Sequence, residues 1–386
     1  MKCFRLRAVV SLCALTSMPA SAQRLAKPTI DTVNHHILRV MNAGSSAWID
    51  TNGWKLVYER TVQPSESSPG MLEKPTQVLL LPDGRVVVAQ RDPALIKLYD
   101  AKGQFVRNIG REGEGPGEYR APKLALYRDT IVVHDARLGR AALITADGRF
   151  VRQFLTNVHF DGPPISVDTR GRLRVETNRA SAGPLESQWV YFDLNGNRLD
   201  SIIPPVAAKA RNWEAQVPGG FMRQSVPFSP FNLYEFRPDG TVLYGGNDRY
   251  LFFTTRNGRD TVRMFGRSDV TAERIPSAVR DSAFNSSSIN PSFRGVAKEN
   301  DIPSTYAVWG GFGVDGNGNA WVSPGNPAGA TRPFDVFDTS GRYLGAVPAP
   351  FGARFGSWAG DRVAILDTDG DGLPRVRIFR IDRRGH

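Results

Sequence analysis

The chain of 386 residues contains only two cysteines, Cys3 and Cys13. Both lie in a segment with a basic start, a short apolar run over residues 8–18 and a small-residue site at 20–22. This pattern predicts a secretory signal peptide over residues 1–22, cleaved near Ala22. The remaining chain would then have no disulfide, thiol nucleophile or cysteine-ligated metal. The signal peptide predicts a secreted protein, periplasmic or extracellular. The lack of disulfides is compatible with an oxidising exterior, because a large core does not need them.

Long apolar runs and blocks of one charge are also missing. No stretch after the signal is apolar enough to form a transmembrane helix. The 49 lysines and arginines are scattered among 38 acidic residues, without a basic arm or interleaved aromatics. This argues against a specific nucleic-acid partner. The net charge of +11 still favours weak attraction to acidic polysaccharide, lipid headgroups or nucleic acid.

Glycine is abundant, and it ends the turns between short strand-like segments. One turn that contains Asp or Asn and ends with glycine recurs six times. Its final residues are Gly103, Gly148, Gly196, Gly258, Gly341 and Gly385. Three of the five spacings are 45, 48 and 44 residues, the length of one four-stranded propeller blade. We therefore predict an all-β fold, a six-bladed β-propeller over residues 48–386 that follows a polar lead-in at 23–47.

The predicted blades cover residues 76–110, 121–155, 163–204, 229–266, 305–348 and 355–385. The last of these lacks an outer strand. An unassigned strand at 53–63 is predicted to complete that blade and close the ring, which would remove the exposed sheet edges.

A glycine-rich loop connects the first two predicted blades. It contains Gly115-Pro116-Gly117-Glu118-Tyr119, continues to Pro122, and is followed by the strand Thr130–Asp135 and the turn Asp147–Phe150. Together these segments resemble an NHL-type repeat, and the stretch 115–119 is similar to a family of bacterial secreted six-bladed β-propellers. The resemblance implies the fold. Glu114 and Glu118 flank the glycines, and we interpret them either as ligand-binding residues or as side chains that bond neighbouring amides and hold the loop.

Two blade spacings are long, and their extra residues lie at 204–230 and 266–301. In the second insertion, Ser268 or Asp269 is predicted to cap a short helix. In a propeller both insertions would lie on the same rim as the glycine-rich loop, where binding residues usually occur. The candidate ligand-binding residues in the first insertion are Arg211, Trp213, Phe221 and Arg223. Aromatic rings there would stack on a ligand and arginines would meet its anionic groups. The alternative is that the aromatic rings only pack the insertion onto the blades.

An acidic stretch supplies the metal candidates Asp367, Asp369 and Asp371. Alternating carboxylates before a glycine are typical of Ca²⁺ loops, but Ile378 replaces the bidentate glutamate that a complete loop requires. The stretch therefore predicts either a Ca²⁺ half-site or an acidic hairpin turn. His134, beside Asp135, and His159 are interpreted as structural, since no nucleophile or zinc-type spacing accompanies them.

Three function hypotheses remain open. The first is a binding propeller that recognises a carbohydrate, peptide or protein through its loop-rich rim. The second, implied by the fold of gluconolactonase-like enzymes, is a Ca²⁺-dependent lactonase with a metal at the central channel. The third is an envelope component held by charge. The fold alone does not decide among them.

Overall fold

The structure, a computed structural model, describes residues 27–34, 36–44, 46–48, 53–160, 162–179, 186–218, 220–237, 239–325, 332–352 and 356–383. The predicted signal peptide, the side chain of Phe221 and the turn at Gly385 lie outside the described residues. Within the described ranges, no helix is long and apolar enough to cross a bilayer.

Six blades of four antiparallel strands surround a central axis, as predicted, and they are numbered here in chain order; the sheet of blade 4 carries two further strands. From the inner to the outer strand, blade 1 consists of Pro75–Leu80, Val86–Gln90, Ile96–Tyr99 and Phe105–Ile109. Blade 2 consists of Pro122–Tyr127, Thr130–Asp135, Arg140–Thr145 and Phe150–Leu155. Blade 3 consists of Ser166–Val167, Leu173–Arg179, Glu186–Phe192 and Arg198–Ile202.

The second half of the ring repeats this order. Blade 4 contains Asn232–Phe236, Val242–Gly246, Leu251–Thr255 and Thr261–Arg267. Blade 5 contains Trp309–Val314, Ala320–Pro324, Phe334–Phe337 and Tyr343–Val347. Blade 6 contains Ser357–Ala359, Arg362–Thr368, Pro374–Asp382 and, as its outer strand, Lys55–Val62.

The hydrophobic core is divided into apolar clusters between neighbouring blades. Six such clusters occur, one at each junction around the ring. Successive side chains of a strand point to opposite faces, so each middle strand serves two clusters. In blade 1, Val87 packs towards blade 2 and Val88 towards blade 6. Burial of both faces explains why the second strand of blade 1, Val86–Gln90, is an almost continuous apolar run and does not alternate with polar residues.

The glycine turns have the conformation that the sequence predicts. Gly103 closes the turn between the third and outer strands of blade 1 with a φ of +87°. Asp100 begins that turn, and its Oδ1 accepts hydrogen bonds from the backbone N–H groups of Lys102 and Gln104. Only glycine adopts this φ at little cost, so the recurring Asp-to-Gly pattern marks the blades.

The N-terminal strand closes the ring, as predicted. Lys55–Val62 pairs antiparallel with Pro374–Asp382, with Lys55 opposite Asp382 and Val62 opposite Val376. Val62 is fully buried in the cluster shared by blades 6 and 1. A strand that precedes blade 1 in the chain therefore lies in the same sheet as the last strands of the ring, and blade 6 has four strands like the other blades.

The segment 23–47, expected to be a polar lead-in, contains two strands. Ile37–Asn42 pairs in parallel with the outer strand of blade 4, and Thr29–Val33 pairs antiparallel with Ile37–Asn42. Asn42 fixes this extension, since its Nδ2 donates to the carbonyls of Gly266 and Gly341. The expectation was wrong because the strands form on a partner more than 200 residues away, and the local pattern carries little trace of it.

The two insertions form small elements of their own. The first is a hairpin, Asn212–Val217 with Gly220–Ser225, and the second contains the helix Ser277–Phe284 and the 3-10 helices Pro291–Phe293 and Glu299–Asp301. The helix begins after Pro276, so the predicted caps were wrong. Asp269 instead pairs with Arg267 at 2.6 Å, and the Ser268 hydroxyl donates to the carbonyl of Asn42.

Replacing Val62 by alanine tests the closure. The change removes two buried methyl groups at the junction of blades 6 and 1, and we expect the free energy of unfolding to fall by about 2 kcal/mol. The matched control is Val106→Ala on the outer strand of blade 1, where the side chain is 49% exposed and the loss should stay below about 0.5 kcal/mol. Urea unfolding measures both. Equal losses in the two variants would contradict the closure.

Candidate functional site

The connections between successive blades lie on one rim of the ring, together with the turns between second and third strands. This rim, called the upper rim below, follows from the antiparallel order of the strands. It carries the glycine-rich loop at 110–121 and both insertions, at 203–231 and 268–308. The two insertions meet there, as the prediction of a common face requires.

Trp213 joins the two insertions and is a structural residue. It is only 3% exposed, packs edge-on against Phe284 and shares an apolar cluster with Phe293 and Ile302. Its indole Nε1 donates to Oδ2 of Asp301 at 2.8 Å. The prediction that Trp213 stacks on a ligand is therefore not supported by its position, because the ring is already covered by the second insertion. The alternative, that the aromatic rings pack the insertion, describes this residue.

Asp301 fixes the relative position of the insertions. Besides the indole of Trp213, its Oδ2 accepts the backbone N–H of Lys298 at 3.0 Å. Its backbone carbonyl accepts Nη1 of Arg211 at 2.8 Å. Three contacts thus converge on one residue. Hydrogen bonds to a charged group are stronger than neutral ones, so we expect Asp301 to hold the hairpin in a defined place.

The two predicted arginines have different surroundings. Arg211 is exposed, and the only acceptor of its guanidinium among the described residues is the neutral carbonyl of Asp301, so its charge is not neutralised there. Arg223 donates to Oε1 of Glu214 from Nε at 3.0 Å and from Nη2 at 2.6 Å. Arg211 is thus available to an anionic ligand, and Arg223 is engaged across the hairpin.

Between the insertions and blade 4 lies a cleft of about 890 Å³. Its walls come from residues 209–214 and 226–230 on one side and 296–307 on the other, with Asn247 and Asp248 of blade 4 at the base. We call this space the rim cleft. Because both walls belong to insertions, the cleft is built from segments that the ring itself does not need.

An aromatic pair lines the rim cleft. Phe228 and Tyr306 stand edge to face with ring centroids 5.5 Å apart, and Phe228 is 38% exposed. The backbone φ of Phe228 is +58°. A bulky residue is rarely found in this left-handed region, and the conformation costs about 1–2 kcal/mol. Backbone strain of this kind is concentrated at functional sites. Phe228 is therefore a stronger indication of a binding site at the cleft than the residues predicted from sequence.

The glycine-rich loop is held by carboxylates. Oε2 of Glu118 accepts the N–H of Gly115 at 2.8 Å, and Arg111 donates to Oε1 of Glu118 at 2.7 Å. These contacts lower the pKa of Glu118, first through the Gly115 amide and then through Arg111. Glu114 is exposed and lies 3.5 Å from Arg120. Glu118 therefore has the loop-holding role that was one of the two interpretations.

Asp135 is the second anchor of this loop. It is 2% exposed, and its Oδ2 accepts the backbone N–H groups of Arg120 at 2.6 Å and Ala121 at 3.1 Å. Its neighbour His134 is 1% exposed and lies 3.1 Å from the Thr156 hydroxyl. Both side chains are therefore structural, as the sequence indicated.

The acidic stretch forms a turn. Asp367 accepts Nε of Arg375 at 2.9 Å on one oxygen and Nε of Arg377 at 2.7 Å on the other. Asp369 accepts the N–H groups of Asp371 and Leu373. Among the described residues, no group of three or more His, Cys, Asp or Glu side chains is placed to hold a metal ion. The Ca²⁺ half-site thus lacks a convergent ligand set among the described residues, and arginines and backbone amides already engage oxygens of Asp367 and Asp369.

Glu235 lies on the inner strand of blade 4 and was missed from sequence. Burial raises the pKa of its carboxyl to about 7, and the guanidinium of Arg174 opposes that rise. Arg174 is itself buried and lies over the rings of Trp189 and Phe236. The sequence signal for it is a carboxylate between two aromatic residues of one strand, Tyr234-Glu235-Phe236.

Two further cavities are lined by side chains that make structural contacts within the protein. One, about 430 Å³ on the upper rim, borders Asp335, which accepts the hydroxyl of Tyr343 at 2.9 Å and Nη1 of Arg267 at 2.8 Å. The other, about 450 Å³, lies at the lower mouth of the channel near Arg237. That side chain runs between blades 4 and 5 and donates to the Thr254 hydroxyl at 3.1 Å.

No protein-family model and no curated protein matches the sequence. Solved structures do resemble the chain. A Bacteroides fragilis protein named as an exported protein is 12% identical, with 86% of this chain and 98% of that chain covered and a TM-score of 0.50. A member of the DUF4221 family from Bacteroides vulgatus is 12% identical, with 86% and 99% covered and a TM-score of 0.43. The PQQ-bound aldose sugar dehydrogenase of Streptomyces coelicolor is 13% identical, with 86% and 99% covered and a TM-score of 0.43.

These likenesses concern the fold. The first structure supports the six-bladed propeller, and its 12% identity does not extend to an activity. The function of this chain has to be argued from its own rim.

Glu235 predicts a specific pH dependence of stability. Because its pKa is raised from 4.5 to about 7, the folded state binds this proton more tightly than the unfolded state. Its contribution to stability is therefore full below about pH 4.5 and is lost as the pH rises to about 7. In Glu235→Gln that contribution should no longer vary with pH. Urea unfolding at several pH values between about 5 and 8 measures this, with Glu66→Gln at an exposed position as control. A decline of equal size in Glu235→Gln and the wild type would contradict the assignment.

Proposed function

We propose that this protein is a secreted, non-catalytic binding propeller whose ligand, a carbohydrate, peptide or protein segment, occupies the rim cleft. The observation that carries the proposal is the cleft itself. Its volume of about 890 Å³ lies within the range of ligand pockets, and it is bounded by insertions held together through Asp301. Loops placed on a rigid scaffold are the usual location of binding.

The chemistry of the walls supports binding of a polar ligand. Exposed amides and hydroxyls line the cleft beside the partly exposed ring of Phe228, whose backbone is in the left-handed region. The side chains that belong to this group are Asn212, Asn300, Ser304 and Thr305. A few aromatic rings combined with convergent polar groups are typical of sites that orient a ligand by hydrogen bonds.

Export and repeat type belong to the same proposal. The basic, apolar and small-residue segments of 1–22 support a signal peptide cleaved near Ala22, and the glycine-rich loop supports NHL-like repeats. A protein of similar fold from Bacteroides fragilis is named as exported. We infer that the propeller acts in the periplasm or outside the cell.

Filling the cleft tests the proposed function. Ala210 and Thr305 are exposed on its two walls, and each is replaced by tryptophan. The wild type and both variants are applied to arrays of glycans and peptides, and the hits are measured by calorimetry. We expect both variants to lose at least tenfold in affinity, because the indole occupies the ligand's space, and to keep the wild-type melting temperature.

Ala101→Trp is the matched control, since Ala101 is exposed in a turn on the opposite rim. It should bind like the wild type. Ligands that bind all four proteins equally would place the site elsewhere, and arrays without any hit would remove the support for a binding role.

A further inference from the structure

The charges around the rim cleft are unbalanced. Three cations line it, Lys209, Arg211 and Lys298, and so do three carboxylates, Glu214, Asp248 and Asp301. Two of the carboxylates have arginine partners, and the third, Asp301, accepts the indole N–H of Trp213 and the backbone N–H of Lys298. Arg223 pairs with Glu214 at 2.6 Å, and Arg249 lies 3.9 Å from Asp248. Counting these two arginines and Glu299, which lies in the wall between Lys298 and Asn300, five positive charges surround four negative ones.

The cations, in contrast, lack charged partners. Lys209 and Lys298 are exposed and form no ion pair with any residue in the described ranges. Among the described residues, the guanidinium of Arg211 donates only to a backbone carbonyl, which leaves its positive charge uncompensated. An excess of cations in a concave site raises the local concentration of anions. The bound ligand should therefore carry negative charge.

The aromatic pair narrows the chemistry further. Phe228 and Tyr306 offer ring edges and faces on the same cleft that holds the cations. Asn212 and Asn300 add side chains that both donate and accept hydrogen bonds. A sugar acid has the matching set of groups, since its ring has an apolar C–H face, its hydroxyls donate and accept, and its carboxylate is anionic.

We propose that the rim cleft binds an acidic oligosaccharide, a chain of uronic acid residues, with its carboxylates at Lys209, Arg211 and Lys298 and a sugar ring against Phe228. This inference rests on the proposed function and adds the class of ligand. An acidic peptide would pair with the cations but would make fewer contacts with the aromatic rings and the amides. Binding of such a peptide is one outcome of the test below.

The experiment compares two probes that differ only in charge, oligogalacturonate and its methyl ester. Calorimetry with the purified protein should show the acid form binding at least tenfold more tightly than the ester at low salt. Because exposed charges are screened, the affinity for the acid form should fall as salt rises. Poly-glutamate is the third probe, and we expect it to bind more weakly than oligogalacturonate.

Variants assign the effect to the cleft. The double change Lys209→Gln and Lys298→Gln should weaken the acid form at least tenfold and flatten its salt dependence. Phe228→Ala should weaken both sugar forms, since the ring contacts the neutral part of the ligand. The matched control removes two exposed lysines elsewhere, Lys55→Gln and Lys102→Gln, and should change neither affinity.

Each other outcome overturns the inference in a recognisable way. Equal binding of acid and ester, lost in Thr305→Trp, would refute the charge argument and leave the cleft as a binding site. Tighter binding of poly-glutamate would identify a peptide ligand. If the two double substitutions of lysine had equal effects, the attraction would come from the overall charge of the protein and not from the cleft. No binding of either sugar form would refute the sugar-acid assignment, while the array experiment would still judge the cleft.

Discussion

The pairing of Lys55–Val62 with Pro374–Asp382 is the interaction on which the rest of the structure depends. Each blade buries both faces against its neighbours, so six blades have six apolar junctions only if the ring is closed. An open arc would have five junctions and two bare faces. One β-strand from the N-terminal part of the chain therefore protects the edge of blade 6 and allows blades 6 and 1 to pack together.

A closed ring gives its insertions a fixed base. The hairpin at 212–225 lies in the connection between blades 3 and 4, and the segment 296–307 lies in the connection between blades 4 and 5. Asp301 joins the two. Because Trp213 is buried between the two insertions, the aromatic pair that lines the cleft is Phe228 and Tyr306. The same division separates the arginines, since Arg223 is paired within the hairpin and Arg211 keeps an uncompensated charge. Folding of the rim thus decides which side chains remain for a ligand.

The blades could be predicted from sequence because their signals are local. An Asp-to-Gly turn sets its own conformation, and its spacing counts the sheets. The parts that were missed depend on distant partners. Ile37–Asn42 becomes a strand only beside blade 4, and Trp213 is buried only because Asp301 and Phe284 cover it. From sequence, Asp367 was a candidate metal ligand. In the structure, two arginines on the facing strand donate to its carboxylate.

Hydrogen exchange measured by mass spectrometry tests the central claim, that the rim cleft is the binding site on an otherwise rigid ring. The protein is compared with and without saturating oligogalacturonate. The account predicts added protection in segments 209–214, 226–230 and 296–307, with the strands of the six blades unchanged. Added protection confined to the turns at the lower mouth of the channel, such as 168–172, would contradict it.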